Sequence, residues 1–192
     1  MPKSLTLPVS AAQVRELEVG DEVLVSGRII TAREAAHRHL AKHEDPIVRR
    51  VSEGSLVYHC GPVVSRDPRT ETWRFLAAGP TASIRQEPYQ ADVLARFGLR
   101  GVIGKGGMGP RTLAALRELG AVYLHAEERL AVVLARCVTK VEGVYELEEL
   151  GAGEAIWTIQ VKDFPAIVTM DAHGETLHAL PAEAREDAGA SL

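Results

Sequence analysis

The sequence predicts one α/β domain in which sheet and helix layers pack as a sandwich. Its 192 residues are enough for a single buried core. Short apolar runs typical of strands recur along the chain, whereas only three or four segments show helical periodicity. Because strands and helices do not alternate in the regular order of a doubly wound sheet, we favour the sandwich over that class.

Two capping boxes predict helix starts in the first half of the chain. The first, at residues 10–13, opens a short helix, and the second, at residues 31–34, opens a helix that runs to about Lys42. Between them, residues 23–25 give a strand signal that ends near Gly27. Apolar runs and turn signals predict the remaining elements, which are strands at 55–60, 73–78, 99–103, 120–124, 141–145, 155–161 and 166–170, and helical segments at 81–97, from 110, and at 128–138.

The chain divides into three parts on these patterns. Residues 1–18 are expected to form an N-terminal extension, and residues 19–180 the domain itself. Glu, Ala, Gly and Ser dominate residues 181–192, which predicts a disordered tail.

Composition excludes several classes of partner and site. The 22 basic and 26 acidic residues are interspersed and give a net charge of -4, so the basic stripe of a nucleic-acid binder is missing. No apolar run approaches the roughly 20 residues of a membrane span, and no signal peptide is evident, so we expect a cytoplasmic protein. Cys60 and Cys137 lie too far apart to suggest a zinc knuckle or a disulfide framework, and we expect buried thiols.

Cations recur where predicted strands pass into helices. Arg33 lies in the opening turn of a predicted helix, where the helix dipole disfavours a cation, and a bound anion would resolve that conflict. In the loop after Gly79, Thr81 and Arg85 lie four residues apart and would share a face if the segment is helical. Both junctions therefore suggest anion binding.

The third junction is the glycine-rich loop GKGGMG at residues 104–109. Glycines such as Gly104 and Gly106 permit positive φ and close backbone approach, and we expect them to clear space around Lys105. Loop amides and the lysine can then converge on one anionic group. If the three loops meet in space, they predict a site for a small substrate with two anionic groups, such as a dicarboxylate.

The same loop also fits a dinucleotide-binding fingerprint, with glycines at 104, 106 and 109 and acidic residues about 20 positions further on. Against this interpretation, the loop lies in mid-chain and no regular βαβαβ succession follows it. A P-loop is excluded, because Leu99 stands where its first glycine belongs and Gly106 follows the lysine.

Three histidines on one predicted helix raise the question of a metal site. His39 and His43 are four residues apart, but the residue after His39 is Leu40, so no H-E-x-x-H set is formed. We therefore favour a solvated helix face for these histidines, and His37 lies one turn after Arg33.

Four motifs, TAREAAH at 31–37, HCGP at 59–62, GPTASIR at 79–85 and IGKG at 103–106, occur together and in this order. The set resembles the beta subunit, or C-terminal domain, of class I iron-sulfur fumarate hydratases and L(+)-tartrate dehydratases, and residues 154–157 and 161–168 are similar to that family's C-terminal strands. The resemblance implies a swivelling β/β/α domain in a hetero-oligomer. It also implies a partner, either an alpha subunit or an N-terminal domain, whose three cysteines bind a 4Fe-4S cluster, so that this chain alone would be inactive.

The resemblance also implies roles for individual residues. Thr81 would be the base that removes the carbon-bound proton, and Arg33, Arg85 and Lys105 would bind the substrate carboxylates, with Gly104 and Gly106 flanking the lysine. The implied reaction is the hydration of fumarate to malate, with dehydration of L(+)-tartrate to oxaloacetate as the second possibility. A dinucleotide-dependent oxidoreductase and a non-catalytic partner domain remain alternatives.

The sequence departs from the family pattern in three places. Ala82 replaces the second threonine of the usual Gly-Pro-Thr-Thr, which removes a hydroxyl next to the proposed base. Gln86-Glu87 stands where Met-Asp or Met-Glu is usual, and residues 127–129, Glu-Glu-Arg, occupy a place where a glycine pair is expected.

Overall fold

A computed structural model describes residues 1–179, and the tail predicted at residues 181–192 lies outside the described residues. The strands are β1 (Lys3–Thr6), β2 (Glu22–Thr31), β3 (Leu56–Tyr58), β4 (Val63–Arg66), β5 (Trp73–Ala77), β6 (Gly101–Gly104), β7 (Val122–His125), β8 (Val138–Tyr145) and β9 (Ile156–Met170). The α-helices are α1 (Ala11–Val14), α2 (Glu34–Lys42), α3 (Pro46–Ser52), α4 (Glu87–Phe97), α5 (Pro110–Leu119), α6 (Ala131–Arg136) and α7 (Leu147–Leu150). Short 3₁₀ helices lie at Ser83–Gln86 and Glu128–Leu130.

One mixed sheet organises the fold, with strand order β1-β2-β3-β6-β7-β9-β8. Strands β1, β2, β3, β6 and β7 run parallel, and β9 runs antiparallel to β2, β7 and β8. Because β9 pairs with both β2 and β7, five of these strands close into a ring, and β4 and β5 form a separate hairpin. The predicted α/β class is confirmed, the closed sheet was not anticipated, and the swivelling sandwich type stays a prediction.

The two faces of the sheet pack into two apolar clusters. Ile29 and Tyr58 belong to a cluster with Trp157 and Phe164 of β9, whereas Ile30 and Val57 belong to one built with α2, α4 and α5. Adjacent residues of a strand point to opposite faces, which explains why neighbours in β2 and β3 separate in this way. The helix layer therefore covers one face of the sheet.

The segment before residue 19 takes part in the sheet. Strand β1 pairs in parallel with β2, with Leu5 opposite Val25. The capping box predicted at the start of α1 is confirmed, since Ser10 and Gln13 make both of its hydrogen bonds. No helix within residues 1–179 is long and apolar enough to cross a bilayer.

Two predicted boundaries are wrong. The strands expected at 155–161 and 166–170 are one strand, β9, which continues through Asp163 at a positive φ of 50°. Both halves pair with β2, so the turn signal produces a bulge instead of a chain reversal. The second capping box is also wrong, because the Thr31 hydroxyl accepts a hydrogen bond from the Trp157 N–H at 3.2 Å and Arg33 is the helix N-cap.

Candidate active site

The candidate site lies at the carboxyl ends of β2, β3 and β6. These strands are neighbours and run parallel, so the residues that follow them share one edge of the sheet. The loop before the first 3₁₀ helix is tied to that edge by an antiparallel bridge between Cys60 and Pro80 and a parallel bridge between Ala82 and Lys105. The Ser83 N–H also donates to the Lys105 carbonyl at 3.1 Å. The loop that contains Thr81 and the loop that contains Lys105 therefore lie side by side.

Thr81 is half-buried and is held by one carbonyl group. Its N–H donates to the His59 carbonyl at 2.7 Å, and its hydroxyl donates to the same oxygen at 3.2 Å. Thr81 precedes the helical residues, so the helical face that it was expected to share with Arg85 is not formed. Arg85 is exposed in the 3₁₀ helix, and its side chain makes no hydrogen bond or ion pair with residues 1–179.

Arg33 lies at the N-cap of α2 and already faces a carboxylate. Its Nη1 lies 3.3 Å from Oε1 of Glu154, whose other oxygen accepts from the Ala35 N–H at 3.0 Å. A Cβ at Gly61 would lie 2.6 Å from Cδ of Arg33, so the arginine packs closely against the end of β3. The counter-charge that the sequence suggested at this helix start is therefore supplied within the chain.

Lys105 forms an ion pair with Glu128, one of the acidic residues at the place where a glycine pair was expected. The hydrogen bond and the charge of Lys105 lower the pKa of the Glu128 carboxyl from its usual value. The pair borders an open cleft of about 490 Å³. The cleft is lined by Ala82, Lys105, Gly106, His125, Glu127, Glu128 and Arg129.

The glycines of the third loop do not clear space around Lys105 in the way we expected. A Cβ at Gly104 would overlap Oγ of Ser83, and one at Gly107 would overlap the ring of His178. At Gly109 it would lie 2.6 Å from the carboxylate of Glu87. Gly106 has open space around it and a φ of +79°, so the backbone conformation, and not a lack of space, favours glycine there.

The N-terminus of α5 has an internal anion. Glu87 accepts hydrogen bonds from the N–H groups of Gly109 at 2.8 Å and Thr112 at 3.1 Å, and from the Thr112 hydroxyl. A dinucleotide-binding loop uses these amides for the pyrophosphate. Since Glu87 occupies them, the geometry argues against the dinucleotide interpretation.

A chain of buried polar side chains, which the sequence did not reveal as a unit, connects the three junctions. We call it the buried polar chain; its members are His37, Gln90, His59, Ser83 and Tyr123, and all have 0% exposure. Oε1 of Gln90 lies 3.0 Å from Nε2 of His37 and 2.7 Å from Nε2 of His59, and Nε2 of Gln90 has no partner within residues 1–179. Ser83 Oγ lies 2.8 Å from Nδ1 of His59 and accepts from the Tyr123 hydroxyl at 2.9 Å. His59 and Ser83 both fall within the motifs that carried the resemblance.

Burial keeps these histidines neutral at pH 7. It lowers the pKa of His37 to about 4 and that of His59 well below its usual value. The prediction of a solvated face is therefore wrong for His37, because that side points into the helix–sheet interface. His39 is half-buried and His43 is exposed. Within residues 1–179, no three His, Cys, Asp or Glu residues cluster as a metal site.

The cysteines do not fit an iron-sulfur cluster. The chain has two, and both are free. Burial raises the pKa of the Cys60 thiol to about 12, whereas metal ligation needs the thiolate. Cys137 is half-buried, and burial raises its pKa as well. The expectation of a buried thiol is confirmed for Cys60, and this chain's own residues do not form a cluster site.

Residues 3–180 match the family model described as Fumarase C-terminus. The chain belongs to this family. A protein from Geobacillus stearothermophilus, whose name assigns it provisionally to class I fumarate hydratase, is 50% identical over 175 residues, which are 91% of this chain and 33% of that protein. The chain thus spans about a third of that relative's length.

Two further relatives of this Fumarase C-terminus chain are shorter proteins that it covers almost completely. The L(+)-tartrate dehydratase subunit beta of Escherichia coli is 34% identical over 180 residues, which are 93% of this chain and 88% of the relative. A protein of Methanocaldococcus jannaschii, provisionally named as the same subunit, is 36% identical over 169 residues, or 86% of this chain and 85% of the relative. The resemblance inferred from the four motifs is thereby confirmed.

Proposed function

We propose that this chain is the beta subunit of a hydro-lyase that adds water to a four-carbon dicarboxylate or removes it. Fumarate to malate is the first candidate reaction, and L(+)-tartrate to oxaloacetate is the alternative, in keeping with the names of the relatives. The observation that carries the proposal is the bridge between Ala82 and Lys105, which sets the Thr81 loop beside a cation at the edge of an open cleft.

In this proposal Thr81 transfers the carbon-bound proton. The Thr81 hydroxyl can donate to the His59 carbonyl only while Oγ1 carries its proton, so this contact holds the state ready for hydration. In hydration that proton passes to one carbon while hydroxide adds to the next, and the alkoxide left on Thr81 is reprotonated from water. In dehydration the alkoxide takes the carbon-bound proton. A threonine hydroxyl is a weak base, so the alkoxide needs nearby positive charge.

Arg33, Arg85 and Lys105 supply that charge and bind the substrate carboxylates. Arg85 has no protein partner within residues 1–179, so it is available to an incoming carboxylate. Arg33 and Lys105 already face Glu154 and Glu128, and the substrate must either join or displace these groups. Gly106, at a positive φ, keeps the loop in the conformation that presents the lysine, and Gly104 leaves room for Ser83 beside it.

The proposal includes a partner. This chain's cysteines do not form a cluster site, so an alpha subunit with three cysteine ligands would carry the 4Fe-4S cluster, and the active form would be a hetero-oligomer. The swivelling β/β/α type and a cytoplasmic location belong to the same proposal.

The test is co-expression with the alpha subunit under anaerobic conditions. We expect fumarate or tartrate turnover that Thr81→Ala abolishes and Thr81→Ser retains in part, because serine keeps the hydroxyl. If the complex binds dicarboxylates but Thr81→Ala leaves kcat unchanged, the chain is a non-catalytic partner domain. Calorimetric binding of NAD(H) by this chain would support the oxidoreductase alternative instead.

A further inference from the structure

His59 is fixed from every side, and Thr81 depends on it. The His59 N–H donates to the Ile103 carbonyl at 2.8 Å, and both ring nitrogens have buried partners. The carbonyl of the same residue receives the N–H and the hydroxyl of Thr81. The position of the Thr81 oxygen is therefore set by a residue that is itself immobilised.

The buried polar chain extends from His59 to both other junctions. On one side, the Gln90 amide reaches His37, whose Nδ1 lies 2.9 Å from the Arg33 carbonyl. On the other, Ser83 accepts from Tyr123, whose hydroxyl accepts from the Gly107 N–H at 3.2 Å. The chain thus runs from the main chain of Arg33, past the carbonyl that holds Thr81, to the loop that carries Lys105.

Hydrogen-bond logic assigns the protons along this chain. A neutral His37 carries one ring proton, and the Arg33 carbonyl can only accept, so the proton lies on Nδ1. Nε2 of His37 must then accept. Because the structure places Oε1 of Gln90, itself an acceptor, beside Nε2 of both histidine rings, this assignment requires the Gln90 amide to be turned so that its NH₂ faces the two rings. His59 in turn donates from Nδ1 to Ser83. Every link from Arg33 to Gly107 then has a donor and an acceptor.

Gly104 is part of the same arrangement. Any side chain there would displace Ser83, since a Cβ would overlap its Oγ and lie 3.0 Å from the Tyr123 hydroxyl. A glycine of the loop that seemed suited to ligand binding thus makes room for a buried hydrogen bond. Burial makes each such bond costly to break, because a deleted partner leaves a polar group without water.

We infer that the buried polar chain positions the Thr81 hydroxyl for proton transfer, with His59 as the positioning residue that acts through its carbonyl. This inference rests on the proposed function. If the hydrogen bond between Ser83 and His59 is lost, His59 is held less firmly and Thr81 can move away from the reacting carbon. The contact of His37 with the Arg33 carbonyl and the main-chain hydrogen bond from Ser83 to Lys105 remain, so the carboxylate-binding cations stay in place. Misplacement of a reacting group by about 1 Å can cost on the order of 100-fold in rate.

The kinetic test uses Ser83→Ala in the complex with the alpha subunit. We expect kcat to fall by roughly 10- to 100-fold while KM for the dicarboxylate changes by less than about threefold. The deuterium isotope effect at the abstracted position should increase, because proton transfer becomes more rate-limiting. The control is Thr158→Val, which removes a buried hydroxyl that has no partner within residues 1–179 and should leave kcat and the isotope effect unchanged.

Two results separate failure of the inference from failure of the proposed function. If Thr81→Ala is inactive but Ser83→Ala keeps its kcat and isotope effect and only melts earlier, the chain is merely structural and the inference is overturned. If Thr81→Ala remains fully active, the proposed function itself fails. Nitrogen-15 NMR of the histidine rings in the isolated chain gives an independent readout. Neutral rings protonated at Nδ1 are expected for both His37 and His59, and Nε2-protonated rings would contradict the proton assignment.

Discussion

Two cations at the candidate site face carboxylates of the same chain, but they do so in different ways. In the Arg33 pair, Glu154 also accepts from the amide of Ala35, and the side chains are 33% and 26% exposed. In the Lys105 pair, Glu128 has no second partner within residues 1–179, and it is 52% exposed beside the open cleft. Glu154 is therefore the more firmly held counter-ion, and we expect Glu128 to be the one that a substrate displaces.

The difference matters because an exposed ion pair contributes little to stability and is screened by salt. Arginine presents a planar fork that can contact Glu154 and a substrate together, whereas a lysine ammonium is a point charge. We therefore expect substrate to join the Arg33 pair and to compete within the Lys105 pair.

As the pH falls, the surroundings of the Arg33 pair should be weakened before those of the Lys105 pair, because neutral His37 anchors the Arg33 main chain. The pKa of His37 is about 4 in the folded chain, below its usual value of 6.5, so the unfolded chain binds the proton first as pH falls. The stability that neutral His37 contributes is fully present above pH 6.5 and is lost as the pH falls toward 4. The loss corresponds to about 3 kcal/mol in the free energy of unfolding. Urea unfolding of the native chain and of His37→Gln across this range measures it.

The exposed histidine provides the control for this pH dependence. His43→Gln should keep the native slope of stability against pH, whereas His37→Gln should make it shallower, with the remaining acid-side slope coming in part from buried His59, whose pKa is also lowered. The interpretation is wrong if both variants follow the native curve. The Lys105 pair responds only at lower pH, since the pKa of Glu128 is itself lowered.

Arg33→Lys tests whether the planar guanidinium group of Arg33 contacts Glu154 and a substrate carboxylate at the same time. A lysine keeps the charge but cannot contact Glu154 and a substrate carboxylate at once, so kcat/KM should fall by about 100-fold, the scale of two charge-assisted hydrogen bonds. Steady-state kinetics of the complex with the alpha subunit measure this loss, and Arg38→Lys, on an exposed position of α2, is the matched control. Near-native kcat/KM in Arg33→Lys would mean that Arg33 does not bind substrate through two contacts.

Glu154→Ala should destabilise the fold more than it alters chemistry. It removes the carboxylate that accepts from the first turn of α2, and such a loss costs about 1–2 kcal/mol. The free energy of unfolding in urea tests this, with the exposed Glu148→Ala in α7 as the control. Equal stability of the two variants would remove the distinction between a fixed and a displaceable counter-ion.

The sequence predicts the cations of the site better than their partners. Arg33 and Lys105 were identifiable because each lies in a local helix-start or Gly-rich pattern, whereas the role of Thr81 came from the family resemblance. Glu154 reaches the start of α2 across 119 residues, so only the pairing of β9 with β2 brings it there. The capping box at Thr31 failed for the same reason, since a hydrogen bond to Trp157 outweighed a local pattern.

The buried polar chain is a second case in which local sequence patterns do not reveal contacts between residues that are far apart in the sequence. His59 and Gln90 are 31 residues apart, and Tyr123 is 40 residues from Ser83. Their contact requires β3, β6 and β7 to be neighbours, and that order does not follow from apolar periodicity. The helix pattern around His37 showed where a helix lies, but not that this histidine faces the sheet.

Of the kinetic variants, Glu128→Gln should have the smallest effect, and it should improve substrate binding where Arg33→Lys impairs it. Removing the charge frees Lys105, so we expect KM for the dicarboxylate to fall by about two- to fivefold with kcat unchanged, which is the scale of an exposed ion pair. Added salt should narrow the gap between the native chain and this variant, because it screens the same interaction. Glu127→Gln is the matched control, since its carboxylate accepts from the Arg129 N–H and does not pair with Lys105. A higher KM in Glu128→Gln would show that Glu128 holds Lys105 in place for the substrate, which would make both counter-ions fixed.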